Sequence, residues 1–128
     1  MLESVLQAVQ QNQAELVAIR RHCHEYPELS CQETQTLAYI QEKLTACGIA
    51  HRYIEKGGII AWIDGSAAGR TLLLRADIDA LPIEEGETNL SCTRVCRSRH
   101  PGVMHACGHD GHIAMLLTAG KILQQWRK

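Results

Sequence analysis

A chain of 128 residues has room for one domain at most and for a modest core. Hydrophobic residues make up 45%, which excludes a disordered composition. The formal net charge is -1, and no basic cluster exceeds pairs such as Arg20-Arg21, which argues against a nucleic acid or an anionic membrane as partner.

No apolar stretch approaches the roughly 20 residues that span a bilayer. The opening lacks the basic flank and apolar run of a secretory leader. The six cysteines are therefore expected as thiols or metal ligands in a reducing, cytoplasmic setting.

In chain order, Leu2, Val5, Leu6 and Val9, then Leu16 and Val17, recur at helical spacing and predict a helix over 2–24. Pro27 stops it and biases Tyr26 away from helical backbone. A second helix is expected from Ser30, because Ser30 and Glu33 have capping-box spacing. Leu37, Ile40, Leu44 and Cys47 form its apolar stripe, and Gly48 is a left-handed stop. Gly57-Gly58 reads as a turn and 59–63 as a strand. Asp64-Gly65 is a hairpin signal, and 71–74 is a short buried strand that ends in the charges Arg75, Asp77 and Asp79. Charged groups just past the carboxyl end of a strand are where open α/β sheets bind ligands. Residues 84–101 read as a polar loop. A last helix has Asp110 as N-cap and Ile113, Leu116, Leu117, Gly120, Leu123 and Trp126 at helical spacing. The order is that of an α/β fold with helices packed on a mixed sheet. A strand would ordinarily follow the last helix, so the chain is expected to be incomplete.

The chemistry concentrates near residue 107. Cys107 and His109 flank Gly108, which lets the backbone bend so that both donors converge. A thiolate and an imidazole suit zinc, and imidazole also tolerates manganese or iron. Cys107 precedes a helix N-terminus, which favours its thiolate form. A cysteine at such a place is also commonly a small buried hydrophobe. His105 and His112 nearby weigh toward metal without closing that second reading. Asp77 and Asp79 fit either a carboxylate that ligates or orients a metal-bound imidazole, or a solvated turn. His22, Cys23 and His24 resemble a ligand cluster too, but histidines near a helix C-terminus are expected from the macrodipole anyway. Cys92 and Cys96 have a zinc-like spacing but no matching partner pair.

Two long motifs resemble a known family. Leu74-Arg75-Ala76-Asp77-Ile78-Asp79-Ala80-Leu81-Pro82-Ile83 resembles the LRADMDALPI element of the M20 metallopeptidases, in the aminoacylase and hippurate hydrolase branch. Residues 101–112 resemble that branch's PGVMHACGHDGH element, and 20–30 its RRHLHxxPELS opening. The resemblance implies the amino-terminal part of the catalytic domain of a two-metal amidohydrolase, over residues 1–128, that acts on a small N-acyl amino acid with a pair of divalent ions, Mn²⁺ or Zn²⁺. It implies Cys107 and His109 as metal ligands. It implies Asp79 as the acidic residue behind a ligand, and Asp77 in the position of a ligand histidine. Arg75 and His112 would be neighbours of the site. The family's general-base Glu and its later His ligands have no counterpart here, since Glu84-Glu85 precede the Cys-Gly-His element. The dimerising domain of a homodimeric enzyme is missing as well. The chain alone is therefore expected to be inactive. A structural metal-binding or thiol module using some of His22, His24, Cys92, Cys96, Cys107 and His109 is the rival reading. Ile113, where the family often has Thr, and Cys92 and Cys96 in the loop bear on substrate fit rather than on the metal chemistry.

Overall fold

The computed structural model describes residues 2–127. Helix α1 spans Leu2–Glu25 and buries Ile19, Cys23 and His24 toward its carboxyl end. Its first turns keep Leu2 and Leu6 exposed, so the apolar spacing that predicted the helix is satisfied by the core only from about Leu16 onward.

Helix α2 spans Thr34–Ala46, four residues later than the capping-box reading placed its start. Ser30 lies in a turn, and the N-cap residue Glu33 makes no side-chain cap hydrogen bond. The cap comes instead from Glu28, whose carboxylate accepts from Gln35 N at 3.1 Å and Thr36 N at 2.8 Å. A carboxylate there satisfies two orphan N–H groups and faces the positive end of the helix dipole. Replacing Glu28 with alanine is expected to cost about 1 kcal/mol in urea denaturation, and an unchanged midpoint would remove it from this role. At the other end Gly48 has φ +64, the left-handed stop expected of it.

Strands β1 (Ala50–Ile54) and β2 (Gly58–Trp62) form an antiparallel hairpin with Ala50 opposite Trp62 and Ile54 opposite Gly58. The Gly57-Gly58 turn is thus real. The hairpin signal at Asp64-Gly65 is not, and residues 71–74 join no ladder. Leu72 and Leu73 are 78% and 82% exposed, where a buried strand was expected. A buried strand needs a ladder partner for its backbone and cover for its side chains, and no described strand supplies either.

Beyond that segment the chain turns inward. Leu29 and Ala80 make a parallel bridge, and Leu81 and Met104 an adjoining antiparallel one. These two bridges are the part of a mixed sheet present among the described residues. The loop after them carries a small hairpin of β3 (Thr88–Asn89) and β4 (Cys92–Thr93), turning at Leu90 with φ +54.

Helix α3 spans His109–Trp126 and lies chiefly against α1. Its buried face is Asp110, Ile113, Ala114, Thr118 and Ile122, while Leu123 and Trp126 are largely exposed. The face is rotated from the predicted stripe because Thr118 turns inward. Its hydroxyl donates to Ala114 O at 2.8 Å, so it packs as a small residue with its polar atom satisfied. The core joins Ile19, Cys23, Ile40, Leu44, Ile49, Ile113 and Ala114. The α/β architecture expected from the sequence holds.

Candidate metal centre

The bridges at Ala80 and Leu81 carry Asp79 to the amino end of α3. There His109 Nδ1 lies 3.0 Å from the Asp79 carbonyl oxygen and 3.0 Å from its Oδ1. Two acceptors around one nitrogen assign its proton: Nδ1–H donates, which leaves Nε2 as the ring nitrogen that can turn to a ligand. Gly108 adopts φ +80 as the helix N-cap, the bend its sequence position suggested. Asp110 is therefore a first-turn residue and not the N-cap. Cys107 stands two positions before His109 with an exposed side chain.

The other candidates gather around this pair to different degrees. The ring of His112, one turn along α3, is 5.7 Å from that of His109. Asp77 is held by Arg75, whose Nε and Nη2 donate to its Oδ1 at 2.9 and 2.7 Å. This guanidinium, with smaller contributions from His109 and His112, keeps the Asp77 carboxyl below the usual carboxylate range. His105 is buried, and neither ring nitrogen has a hydrogen-bond partner among the described residues. Burial pushes its imidazole below the ordinary histidine value.

The remaining Cys and His residues are not brought together. His22 stacks on Tyr39 with ring centroids 3.9 Å apart. Cys92 is exposed on β4, while Cys96 is buried and its thiol reaches Arg21 O at 3.4 Å. Cys23 is 3% exposed within the core beside Ile19 and Ile113, and burial pushes its thiol up to about 12.

Sequence reasoning missed a second polar cluster behind the first. His24, read as a helix-end histidine and as one candidate of the rival metal module, is 2% exposed; its Nδ1 is 2.7 Å from Asp110 Oδ2 and its Nε2 2.8 Å from Glu85 Oε1. Arg20 Nε lies 2.9 Å from Asp110 Oδ2 and Arg94 Nη1 3.3 Å from Glu85 Oε1. Ser98 N–H donates to Glu85 Oε2 at 2.6 Å. No local pattern could have announced it, since the partners of His24 are 61 and 86 residues away.

Residues 73–128 match the sequence pattern of peptidase family M20/M25/M40. Over 98% of its length the chain is 42% identical to the N-acyl-L-amino acid amidohydrolase of Geobacillus stearothermophilus, of which it covers 33%. It is 49% identical over 112 residues to the N-acetyl-L-cysteine deacetylase of Bacillus subtilis, covering 87% of this chain and 26% of that protein. Among solved structures, the Bacillus subtilis YXEP protein, a dinuclear metal-binding peptidase of the M20 family, superposes with a TM-score of 0.83 at 37% identity, over 92% of this chain and 32% of that one. The chain is thus similar to M20 peptidases along nearly its whole length, with the family pattern itself over residues 73–128. It spans 26% to 33% of the length of these relatives.

The donor chemistry present fits a divalent ion in part. An exposed thiol and an imidazole anchored through Nδ1, with Nε2 free, are suitable ligands. No group of three or more His, Cys, Asp and Glu is arranged to hold an ion among the described residues.

Proposed function

We propose that these residues form the amino-terminal part of the catalytic domain of a cytoplasmic, metal-dependent amidohydrolase that cleaves the amide bond of an N-acyl amino acid. Cys107 and His109 contribute to a two-ion centre completed by residues outside this chain, in an enzyme that acts as a homodimer. The observation that carries the reading is the anchoring of His109 Nδ1 by Asp79, which fixes the ring and presents Nε2 outward. Such ions, when bound, supply Lewis acidity toward an amide carbonyl and make water a better nucleophile. Asp79 keeps His109 in one tautomer and one orientation. Asp77, whose carboxyl is influenced by His109 and His112, and Arg75, which holds it, are neighbours of this centre. Covalent catalysis by Cys107 is disfavoured, because no described base contacts its thiol. The kinship with an N-acyl-L-amino acid amidohydrolase and with an N-acetyl-L-cysteine deacetylase supports the substrate class.

The 128-residue chain alone holds an ion weakly, since tight sites use three or four protein ligands, and it does not turn over N-acetyl or N-benzoyl amino acids with added Mn²⁺ or Zn²⁺. Co²⁺ absorption tests the ligand assignment. A thiolate-to-cobalt band is expected in the unmodified chain, to be lost in Cys107→Ser, with affinity about 10-fold to 100-fold weaker in Asp79→Ala. Turnover by the chain, or a band that survives Cys107→Ser, would defeat this assignment.

A further inference from the structure

We propose that His24 is a positioning residue: a buried imidazolium that clamps the start of α3, and with it His109, to α1 and to the loop over 84–101. This inference rests on the metal-centre reading for what the clamp serves, though not for the clamp itself.

The ring lies between two carboxylates. Both nitrogens face carboxylate oxygens, Nδ1 facing Asp110 at 2.7 Å and Nε2 facing Glu85 at 2.8 Å. An ionised carboxylate only accepts, and a neutral imidazole has one donor and one lone pair. With a neutral ring, one lone pair would therefore point at a carboxylate within 3 Å in a site sheltered from water. With both nitrogens protonated, each contact becomes a charge-assisted hydrogen bond of ordinary length.

The groups around the ring test this choice. From α1, Arg20 Nη2 lies 3.1 Å from His24 Nδ1 and could donate to a bare nitrogen. The Asp110 contact is shorter, and the same guanidinium already meets Asp110 Oδ2 through Nε at 2.9 Å. From the loop, Arg94 reaches Glu85 Oε1. From the turn before α3, His105 is the remaining titratable neighbour, and burial favours its neutral form. Arg20 and Arg94 side chains are 40% and 24% exposed, so water screens their repulsion of the ring better than it screens the two buried carboxylates. The hydrogen bond to Asp110 also raises the His24 pKa above its ordinary value.

The mechanical consequence follows from adjacency. Asp110 is the residue after His109 and lies in the same first helical turn. Holding its carboxylate fixes the azimuth of that turn, and so the alignment of His109 Nδ1 with Asp79. Ordinary helix packing would fix the axis of α3 but not the tautomer of His109.

Nitrogen-15 NMR of ring-labelled 128-residue chain at neutral pH, without metal, tests both parts. Directly bonded protons are expected on Nδ1 and Nε2 of His24 together, and on Nδ1 of His109. In His24→Gln, with helical circular dichroism retained, the Nδ1–H tautomer of His109 is expected to fall from dominant to a minority. Asp110→Asn, which keeps the side-chain shape, is expected to do the same should His24→Gln fail to fold. A bare nitrogen on His24 in the unmodified chain overturns the proposal, as does a folded variant whose His109 keeps its tautomer. Neither readout uses an ion, so a failure of the cobalt titration would count against the metal-centre reading and leave this one standing.

Discussion

Glu85→Ala is expected to destabilise the chain by about 3–5 kcal/mol, the range for breaking a buried ion pair from one side. The Glu85 side chain is 3% exposed and accepts from His24, Ser98 N and Arg94. Alanine leaves the His24 Nε2–H and the Ser98 N–H without an acceptor inside the protein, and a buried unsatisfied donor loses its full solvation. Domains of this size are stable by about 5–15 kcal/mol, so the loss is a large share of the total and shows plainly in urea denaturation. Glu85→Gln keeps an acceptor oxygen and gives up the charge, so its loss is smaller. Glu42→Ala, at an exposed pair with Lys43, stays within about 0.5 kcal/mol. A Glu85→Ala loss no larger than the Glu42→Ala loss would mean that the cluster carries no net stability.

The same cluster sets a pH window. Burial pushes the Glu85 carboxyl up, but the Ser98 N–H and His24 outweigh it and hold the group below its ordinary value of 4.5. A carboxyl depressed by folding stabilises above its unfolded value, and the gain is lost as pH falls through the folded one. The hydrogen bond to Asp110, opposed by burial, raises His24 above 6.5. A histidine raised by folding contributes fully below its unfolded value, and the contribution disappears as pH rises through the folded one. Denaturation midpoints should therefore be highest between about 4.5 and 6.5 and decline on both sides, with the acid limb shallower in Glu85→Gln.

What the sequence made legible was local or motif-borne. Helical spacing located α1 and α3 because their periodicity is a property of the segment itself. Gly48 and Gly108 announced positive φ because few other residues adopt it readily. The motif around Asp79 and the one around His109 pointed to one site, and the chain joins them through the Ala80 and Leu81 bridges. The misreadings share a cause. Glu28 caps α2 from outside the helix, across a turn, so the Ser30–Glu33 spacing matched a pattern that the backbone did not use. Leu72 and Leu73 are strand-like in composition, but pairing depends on a partner elsewhere in the chain, which composition cannot supply. His24 looked like a helix-end histidine because the macrodipole explains any such residue, and its partners lie far away in sequence. Long-range pairing of charged groups leaves no periodic trace.

Ile113→Ala is the second large loss, expected at about 2–5 kcal/mol. Ile113 is 2% exposed in the core with Ile19, Cys23 and Ala114, four residues after His109 on α3. The chain contains no Phe, so the core consists of aliphatic side chains and thiols, with the nearby Tyr39 only partly buried. The neighbours of Ile113 are held by the same packing, so an alanine leaves a cavity that collapses only in part. Ile113→Val should lose only about 0.5–1.5 kcal/mol, because one methylene leaves little cavity. Leu123→Ala, on the face that sequence periodicity assigned to the core but the fold leaves 47% exposed, should stay near 0.5 kcal/mol. Urea midpoints of the three variants decide between the two faces. A Leu123→Ala loss equal to that of Ile113→Ala would rotate α3 back to the predicted stripe, and would turn Asp110 away from His24 at the same time.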